Sequence, residues 1–425
     1  MHTEQLIEKI QIGEMDSALL DIYVDETKLE YQKKRYVDTI RKFEKYYEKG
    51  EVKVFSAPGR SEIGGNHTDH QRGKVLAASI NLDTLGMVRA TDNNMISIIS
   101  DDSNEMKISL DDLSVKRQEK GTTTAIIKGV AEGFVENGYE IGGFSAYITS
   151  EVLIGAGLSS SAAFETLIGT ILSGLYNDNS VSAVEIAMIG QFAENVYFGK
   201  PCGLMDQMAC SVGNLVYIDF MEPANPFVEK VDVDMEAYGY SLCITDTKGS
   251  HADLTDEYAA VPDEMKRVAQ YFGKDVLREV SLTDVLREIK TLRNKLGDRC
   301  VLRALHFVTE NERVQNEVNA LKQGKFERFL EQVKASGDSS YKYLQNVYSA
   351  KDIKQQNMSV ALMISEMTLG TTGACRVHGG GFAGTIQAFV KKEDVPEYKK
   401  QMNAVFGEGA CSDLRIRKYG GIQIV

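Results

Sequence analysis

The feature that most restricts the fold is a strand, a glycine- and serine-rich turn and an apolar helix in immediate succession. GFSAYITSEV (143–152) alternates like a strand, and Gly155-Ala156-Gly157-Leu158-Ser159-Ser160-Ser161-Ala162-Ala163 then turns into an apolar helix near Ala162. Glycine lets backbone approach a ligand closely. The helix start offers unpaired N–H groups with partial positive charge, and a serine oxygen can ligate a divalent cation. These ingredients suit a triphosphate, although an ordinary serine-capped helix has the same local signature. Two other routes to nucleotide binding drop out. The chain has no GxxxxGK followed by Ser or Thr, and its GxGxxG match at Gly379–Gly384 runs into strand-like TIQAFV instead of a helix.

Elsewhere the pattern mixes helices and strands. Spacings of three and four among Tyr36, Ile40, Phe43 and Tyr47 predict an amphipathic helix over 26–49. VKVFSAPGR (52–60) reads as a strand ending in a Pro-Gly break, and 75–92 reads as paired short strands. Helices are predicted over 123–138, 182–197 and 205–212, strands at 214–220 and 240–247, mostly helix over 254–336, and strand character over 377–391 and 412–425. With 425 residues, 43% of them hydrophobic, two domains are expected, the first closing near residue 230.

Charge and cysteine content restrict function. A net charge of −13 argues against a nucleic-acid footprint, so an anionic ligand must be held by local groups. Six scattered cysteines without CxxC spacing fit a reducing cytoplasm. No run of about 18 apolar residues predicts a membrane span, and the mixed-charge MHTEQLIEKI is unlike a signal peptide.

Three signatures in order resemble the GHMP kinase superfamily and, within it, the galactokinases: APGR-SEIGG-NHTDH (57–70), GAGLSSSAA (155–163) and HGGGFAG (378–384). AENVYFGKPCGLMDQ (193–207) is similar to the family segment that holds its catalytic aspartate, and weaker likeness continues in TDEYAAV (255–261) and RALHFVTENERV (303–314). The resemblance implies an α+β fold, with a helical extension over 1–50, a ribosomal-protein-S5-like domain over 51–230, a ferredoxin-like domain over 231–425, and the active site between the two domains. It implies ATP and Mg²⁺ as cofactors and a small sugar as substrate, phosphorylated at its anomeric hydroxyl. By matching position, Asp206 is the catalytic carboxylate with Arg60 beside it. Residues 155–162 cradle ATP, Ser161 and Glu194 ligate Mg²⁺, and Asn66, His67, Asp69, Gly203 and Tyr258 face the sugar.

The residue types suit that chemistry. A sugar hydroxyl needs a carboxylate to take its proton as the phosphoryl group arrives, and a neighbouring guanidinium keeps that carboxylate ionised. Read without the resemblance, Asp206 could equally cap a helix and Glu194 lie on a solvated face. The triple glycine reads as backbone passing close to another element, either as a tight hairpin or as part of a phosphate pocket, and His378 is given no role. Asn66, His70 and Arg72 stand where galactokinases carry Glu, Tyr and a small residue. Galacturonate, or another sugar phosphorylated at its anomeric hydroxyl, is therefore an alternative substrate to galactose, and a noncatalytic galactose and ATP sensor is the alternative of another class. A metal-dependent hydrolase built on His67, Asp69 and His70 fits poorly, because no second ligand cluster accompanies them.

Overall fold

In the computed structural model, which describes residues 1–101, 103–152, 157–249 and 254–425, the strands form two sheets. The first contains β1 (Lys53–Gly64), β2 (Lys74–Ala90), β3 (Met95–Ser100), β4 (Met106–Ser109), β5 (Phe144–Ser150), β6 (Leu215–Asp219) and β7 (Phe227–Val231). The second contains β8 (Tyr240–Asp246), β9 (Ala374–His378), β10 (Thr385–Lys391) and β11 (Cys411–Leu414), in the order β11-β8-β10-β9 and antiparallel throughout. The last strand, β12 (Ile422–Gln423), returns to the first sheet and pairs with β1.

Two sequence expectations are corrected here. The Pro-Gly break does not end β1, which runs on to Gly64; and 75–92 is not a pair of strands but mainly one strand of 17 residues, β2. The apparent breaks face each other. Pro58 pairs with Asp83 and Arg60 with Ser79, so Ile80, Asn81 and Leu82 oppose the single residue Gly59. At that slip β2 also changes its second partner, from β6 along 74–78 to β5 along 84–90. Polar residues that resemble a turn in sequence are satisfied by the chain terminus. The Asn81 N–H donates to the Arg415 carbonyl, and the Asn81 side-chain oxygen accepts from the Arg415 N–H.

Helices cover both faces of the first sheet. Leu6, Ile10, Tyr36, Ile40 and Phe43 of the amino-terminal helices pack on Val54, Leu85, Met87 and Tyr147. Strand neighbours of opposite orientation, Phe55, Ala57, Phe144, Ala146 and Ile148, meet Ile127, Val130, Leu167 and Ile171 of the helices Thr123–Glu136 and Ser160–Tyr176. The first 47 residues are thus one layer of this sheet. A further core joins Ile63, Leu76 and Ala78 to Val314 and Val318 of the helix Asp298–Lys322 and to Leu242, Ile244 and Phe389 of the second sheet. The two sheets thus meet across this shared core.

Asp83, fully buried, fixes the first sheet to both chain ends. It accepts from Arg35 at 2.6 Å, Tyr23 at 2.8 Å and Arg417 at 3.2 Å, and also from the Ser56 hydroxyl. Burial alone would raise its carboxyl, but the two guanidiniums and Ser56 hold it below the usual range. Arg417→Met leaves Asp83 and Ser56 under-satisfied, and is expected to cost about 3–5 kcal/mol by chemical denaturation.

Two buried histidines, His306 and His378, also span the interface between the sheets. The His306 Nε2 lies 2.9 Å from the Asn66 carbonyl; His378 accepts from the Glu62 N–H at Nε2 and meets Thr385 Oγ1 at Nδ1, 2.8 Å away. Burial pushes both below the ordinary histidine value, with Arg60 and Arg376 adding to the effect at His378. At these two positions the unfolded chain binds protons that the folded chain refuses, a contribution to stability that is lost as pH drops below about 6.5, while raised buried carboxyls such as Glu165 act in the opposite sense. Urea melts of wild type and His378→Gln at about pH 7.5 and pH 5.5 isolate the histidine part: the variant is expected to lose less stability, or gain more, on acidification than wild type, by roughly one proton.

Candidate functional site

The site begins at the register slip. Gly59 has no Cβ, and one built there would lie 2.8 Å from the Leu158 carbonyl oxygen. That close approach lets the Arg60 N–H donate to the same carbonyl at 3.0 Å, tying β1 to the glycine- and serine-rich turn. Gly155 and Ala156 lie outside the described residues. From Gly157 onward the turn carries left-handed backbone at Gly157 (φ +69°) and Ser159 (φ +58°), then enters the helix Ser160–Tyr176. Leu158 and Ala162 are buried, whereas Ser161 is exposed in the first turn of that helix. A Cβ on Gly157 would sit 2.9 Å from Thr385 Oγ1 and 3.3 Å from His378 Nδ1, so the second sheet backs this turn.

Arg60 reaches from β1 to Asp206 in a bidentate pair, Nε to Oδ1 at 2.7 Å and Nη2 to Oδ2 at 2.9 Å, while its Nη1 donates to the Gly157 carbonyl. The Ser159 hydroxyl donates to Asp206 Oδ2. Asp206 stands in the first turn of the helix Met205–Val212, but its carboxylate goes to Arg60 and Ser159 instead of capping the helix. Burial would raise the Asp206 carboxyl, yet Arg60 and Ser159 hold it below the usual carboxylate range. The Arg60 side chain is 8% exposed and that of Asp206 35%, so the carboxylate is ionised, oriented and open to the cleft.

Behind Asp206 lies a buried carboxylate pair that sequence reasoning identified only in part. The helix Ala183–Phe192 widens at Ala193–Phe198, and this turn carries Glu194 inward instead of onto a solvated face. Glu194 accepts from Lys200 at 3.1 Å and from Gln207 Nε2 at 2.9 Å, and the same nitrogen donates to Glu165 at 3.0 Å. Burial, with Glu194 close by, raises the Glu165 carboxyl to about 8. Nothing in the sequence marks Glu165 except its place one helical turn beyond Ser161.

The other expected residues gather at the β1–β2 loop and the β9–β10 turn. Asp69 faces Gly203, where a Cβ would fall 2.2 Å from Asp69 Oδ2; only glycine leaves that carboxylate its place. His67 Nε2 donates to the Gly380 carbonyl at 2.8 Å, and the Tyr258 hydroxyl donates to the Gly381 carbonyl at 2.7 Å. Asn66 departs from expectation. It is fully buried, and its amide is taken up by Glu62, Gly379, Ser340 and Asn346, which leaves no donor or acceptor for a ligand. Its small amide fits this packing because Glu62 supplies the carboxylate there, paired with Arg376 at 2.7 Å. His70 and Arg72 are exposed, and Arg72 ends the loop in the left-handed region at φ +58°.

Chemically, the arrangement offers a cationic, backbone-rich turn for an anionic ligand, an oriented carboxylate beside it, and a polar loop beyond. Comparison with known proteins agrees. Residues 125–214 match the GHMP kinases N terminal domain, and residues 41–90 match the galactokinase galactose-binding signature. A Clostridium tetani galactokinase is 29% identical over 364 residues, covering 85% of this chain and 90% of its own length. One from Glaesserella parasuis is 30% identical over 362 residues, covering 84% and 90%. The crystal structure of Lactococcus lactis galactokinase complexed with galactose superimposes with a TM-score of 0.76 at 25% identity, covering 92% of this chain and 99% of that one. With the sugar signature on β1 and its loop, the kinase domain around the glycine turn, and whole-chain likeness in sequence and fold, this chain belongs to the galactokinase family of the GHMP kinases.

Proposed function

We propose that the protein transfers the γ-phosphoryl group of ATP to the anomeric hydroxyl of galactose, giving galactose 1-phosphate and ADP. The observation that carries this reading is Asp206, held ionised between Arg60 and Ser159 at the edge of the glycine turn and partly open to the cleft. In the reaction the anomeric oxygen bonds to γ-phosphorus, the bond from γ-phosphorus to the β,γ-bridging oxygen breaks, and the hydroxyl proton passes to Asp206. A carboxylate of lowered basicity serves here, because the hydroxyl becomes acidic as phosphorus approaches. Arg60 orients Asp206 and places positive charge beside the group in transfer. Residues 155–162 would cradle the phosphates through backbone N–H groups at the helix start. His67, Asp69, Gly203 and Tyr258 would form the sugar side.

The donors near the turn are hydroxyl and carboxylate oxygens, which suits a hard divalent cation, and the buried Glu165 Oε1 has no hydrogen-bond partner among the described residues. Ser161 and Glu194 would hold Mg²⁺, whose charge would offset that of the phosphates.

A sugar panel with ATP and Mg²⁺, read as ADP release, tests the activity. Galactose is expected to give turnover; binding of galactose without ADP release would identify a sensor instead, and turnover with galacturonate alone would replace the substrate. Asp206→Asn is expected to lower kcat by roughly 10²-fold or more, with both KM values little changed. Ser161→Ala and Glu194→Gln are expected to raise the Mg²⁺ concentration needed for half-maximal rate, with partial recovery at high Mg²⁺.

A further inference from the structure

The triple glycine between β9 and β10 presents three consecutive carbonyl oxygens to Tyr258 and to two residues of the β1–β2 loop, Asn66 and His67. Gly379 accepts from Asn66 at 2.7 Å, Gly380 from His67 at 2.8 Å and Gly381 from Tyr258 at 2.7 Å. Each glycine is required where it stands. Gly379 and Gly381 have φ of +68° and +83°, a Cβ on Gly380 would lie 2.8 Å from Tyr258 Cε1, and one on Gly381 would lie 2.0 Å from the Asn346 carbonyl oxygen.

A carbonyl oxygen only accepts. His67 must therefore carry its proton on Nε2, which leaves Nδ1 as the acceptor of the neutral ring, and burial beside His70 keeps that ring neutral by lowering its proton affinity. The orientation of Asn66 is fixed by the same logic. Its Nδ2 faces two acceptors, Glu62 Oε1 at 3.0 Å and the Gly379 carbonyl, and its Oδ1 faces two donors, Asn346 Nδ2 at 2.7 Å and the Ser340 hydroxyl at 3.2 Å. Arg376, fully buried on β9, completes the junction by donating to Glu62 and to the Ile63 carbonyl, each at 2.7 Å. The β1–β2 loop of the first sheet is thus fastened to the glycine turn of the second through one saturated amide.

We propose that the Gly379–Gly381 carbonyls are the positioning element of the sugar pocket, and that Asn66 is a positioning residue that locks the β1–β2 loop onto them without touching the sugar. The proposal rests on the reading of this cleft as a galactose site. It assigns to the triple glycine a role in sugar recognition, where the sequence offered a plain hairpin or a phosphate contact. The phosphate turn is backed instead by His378 and Thr385, which flank the triple glycine in sequence and approach Gly157.

The test is steady-state kinetics on the full-length protein, with galactose and ATP varied separately, for wild type, Asn66→Asp and Gly380→Ala. Asn66→Asp keeps the volume but replaces two donors with oxygen facing two oxygen acceptors; Gly380→Ala leaves Asn66 untouched and displaces the Tyr258 ring. Each is expected to raise the KM for galactose by roughly tenfold or more while the KM for ATP stays within about threefold, a split that a general loss of stability would not produce. The double variant is expected to fall short of the product of the single effects, because both act on one unit. Parallel rises in both KM values, or lowered melting temperature with the galactose KM unchanged, would overturn the proposal. If Asn66→Asp does not fold, the galactose KM of Gly380→Ala decides by the same criterion. Galactose turnover by the wild type is scored on its own, so a wrong substrate is distinguished from a wrong role for the turn.

Discussion

Arg60 can pair with Asp206 only because the β1–β2 register slips at Gly59. With three residues of β2 set against one of β1, the chain at Gly59 packs against the Leu158 carbonyl, and the next side chain is delivered to Asp206 and Gly157. The cost of the slip falls on Ile80–Leu82, and the chain terminus covers it: the Asn81 backbone pairs with Arg415, and Ser79 accepts from the Arg417 N–H. The site, the long strand and the last strand segments therefore form one arrangement.

The buried ion pairs differ in a way that separates scaffold from chemistry. Asp83–Arg417 and Glu62–Arg376 lie in the interior with almost no solvent access, and both Asp83 oxygens and Glu62 Oε1 accept from protein donors. Such pairs fix geometry, since leaving either charge alone in a low dielectric is severely unfavourable. Asp206–Arg60 is bidentate, unlike the single contacts of those two pairs, and it keeps the carboxylate partly open. Glu165 and Glu194 form a third kind, two carboxylates sharing one amide nitrogen, where burial, with the like charge of Glu194, raises one acid. The open pair and the crowded pair both lie within the turn-and-helix region matched to the kinase domain, or directly against it.

Much of the site was legible because its chemistry is local. The glycine turn followed by serines and the helix over Met205–Val212 both follow from backbone preferences over a few residues. The Arg60–Asp206 pairing was expected from resemblance to a family, since 146 positions separate the two and no local rule joins them. Where sequence reading failed, it treated polar or glycine-containing stretches as breaks. Pro58-Gly59 and Asn81–Asp83 are interruptions in any window of ten residues, and only distant partners, Leu158, Arg35, Arg415 and Arg417, turn them into parts of continuous strands.

Asn66 and the triple glycine mark the same boundary. By itself the sequence determined that a polar loop separates the first two strand segments, that 379–381 must be bare backbone, and that a carboxylate follows the KPCG turn, because each of these depends on side-chain size and chain stiffness at neighbouring positions. Only the tertiary structure decided which way each polar group faces. The amide of Asn66 turns to Glu62 and the Gly379 carbonyl because burial there leaves it no water, whereas the Asp206 carboxylate, held by Arg60 and Ser159, stays partly exposed.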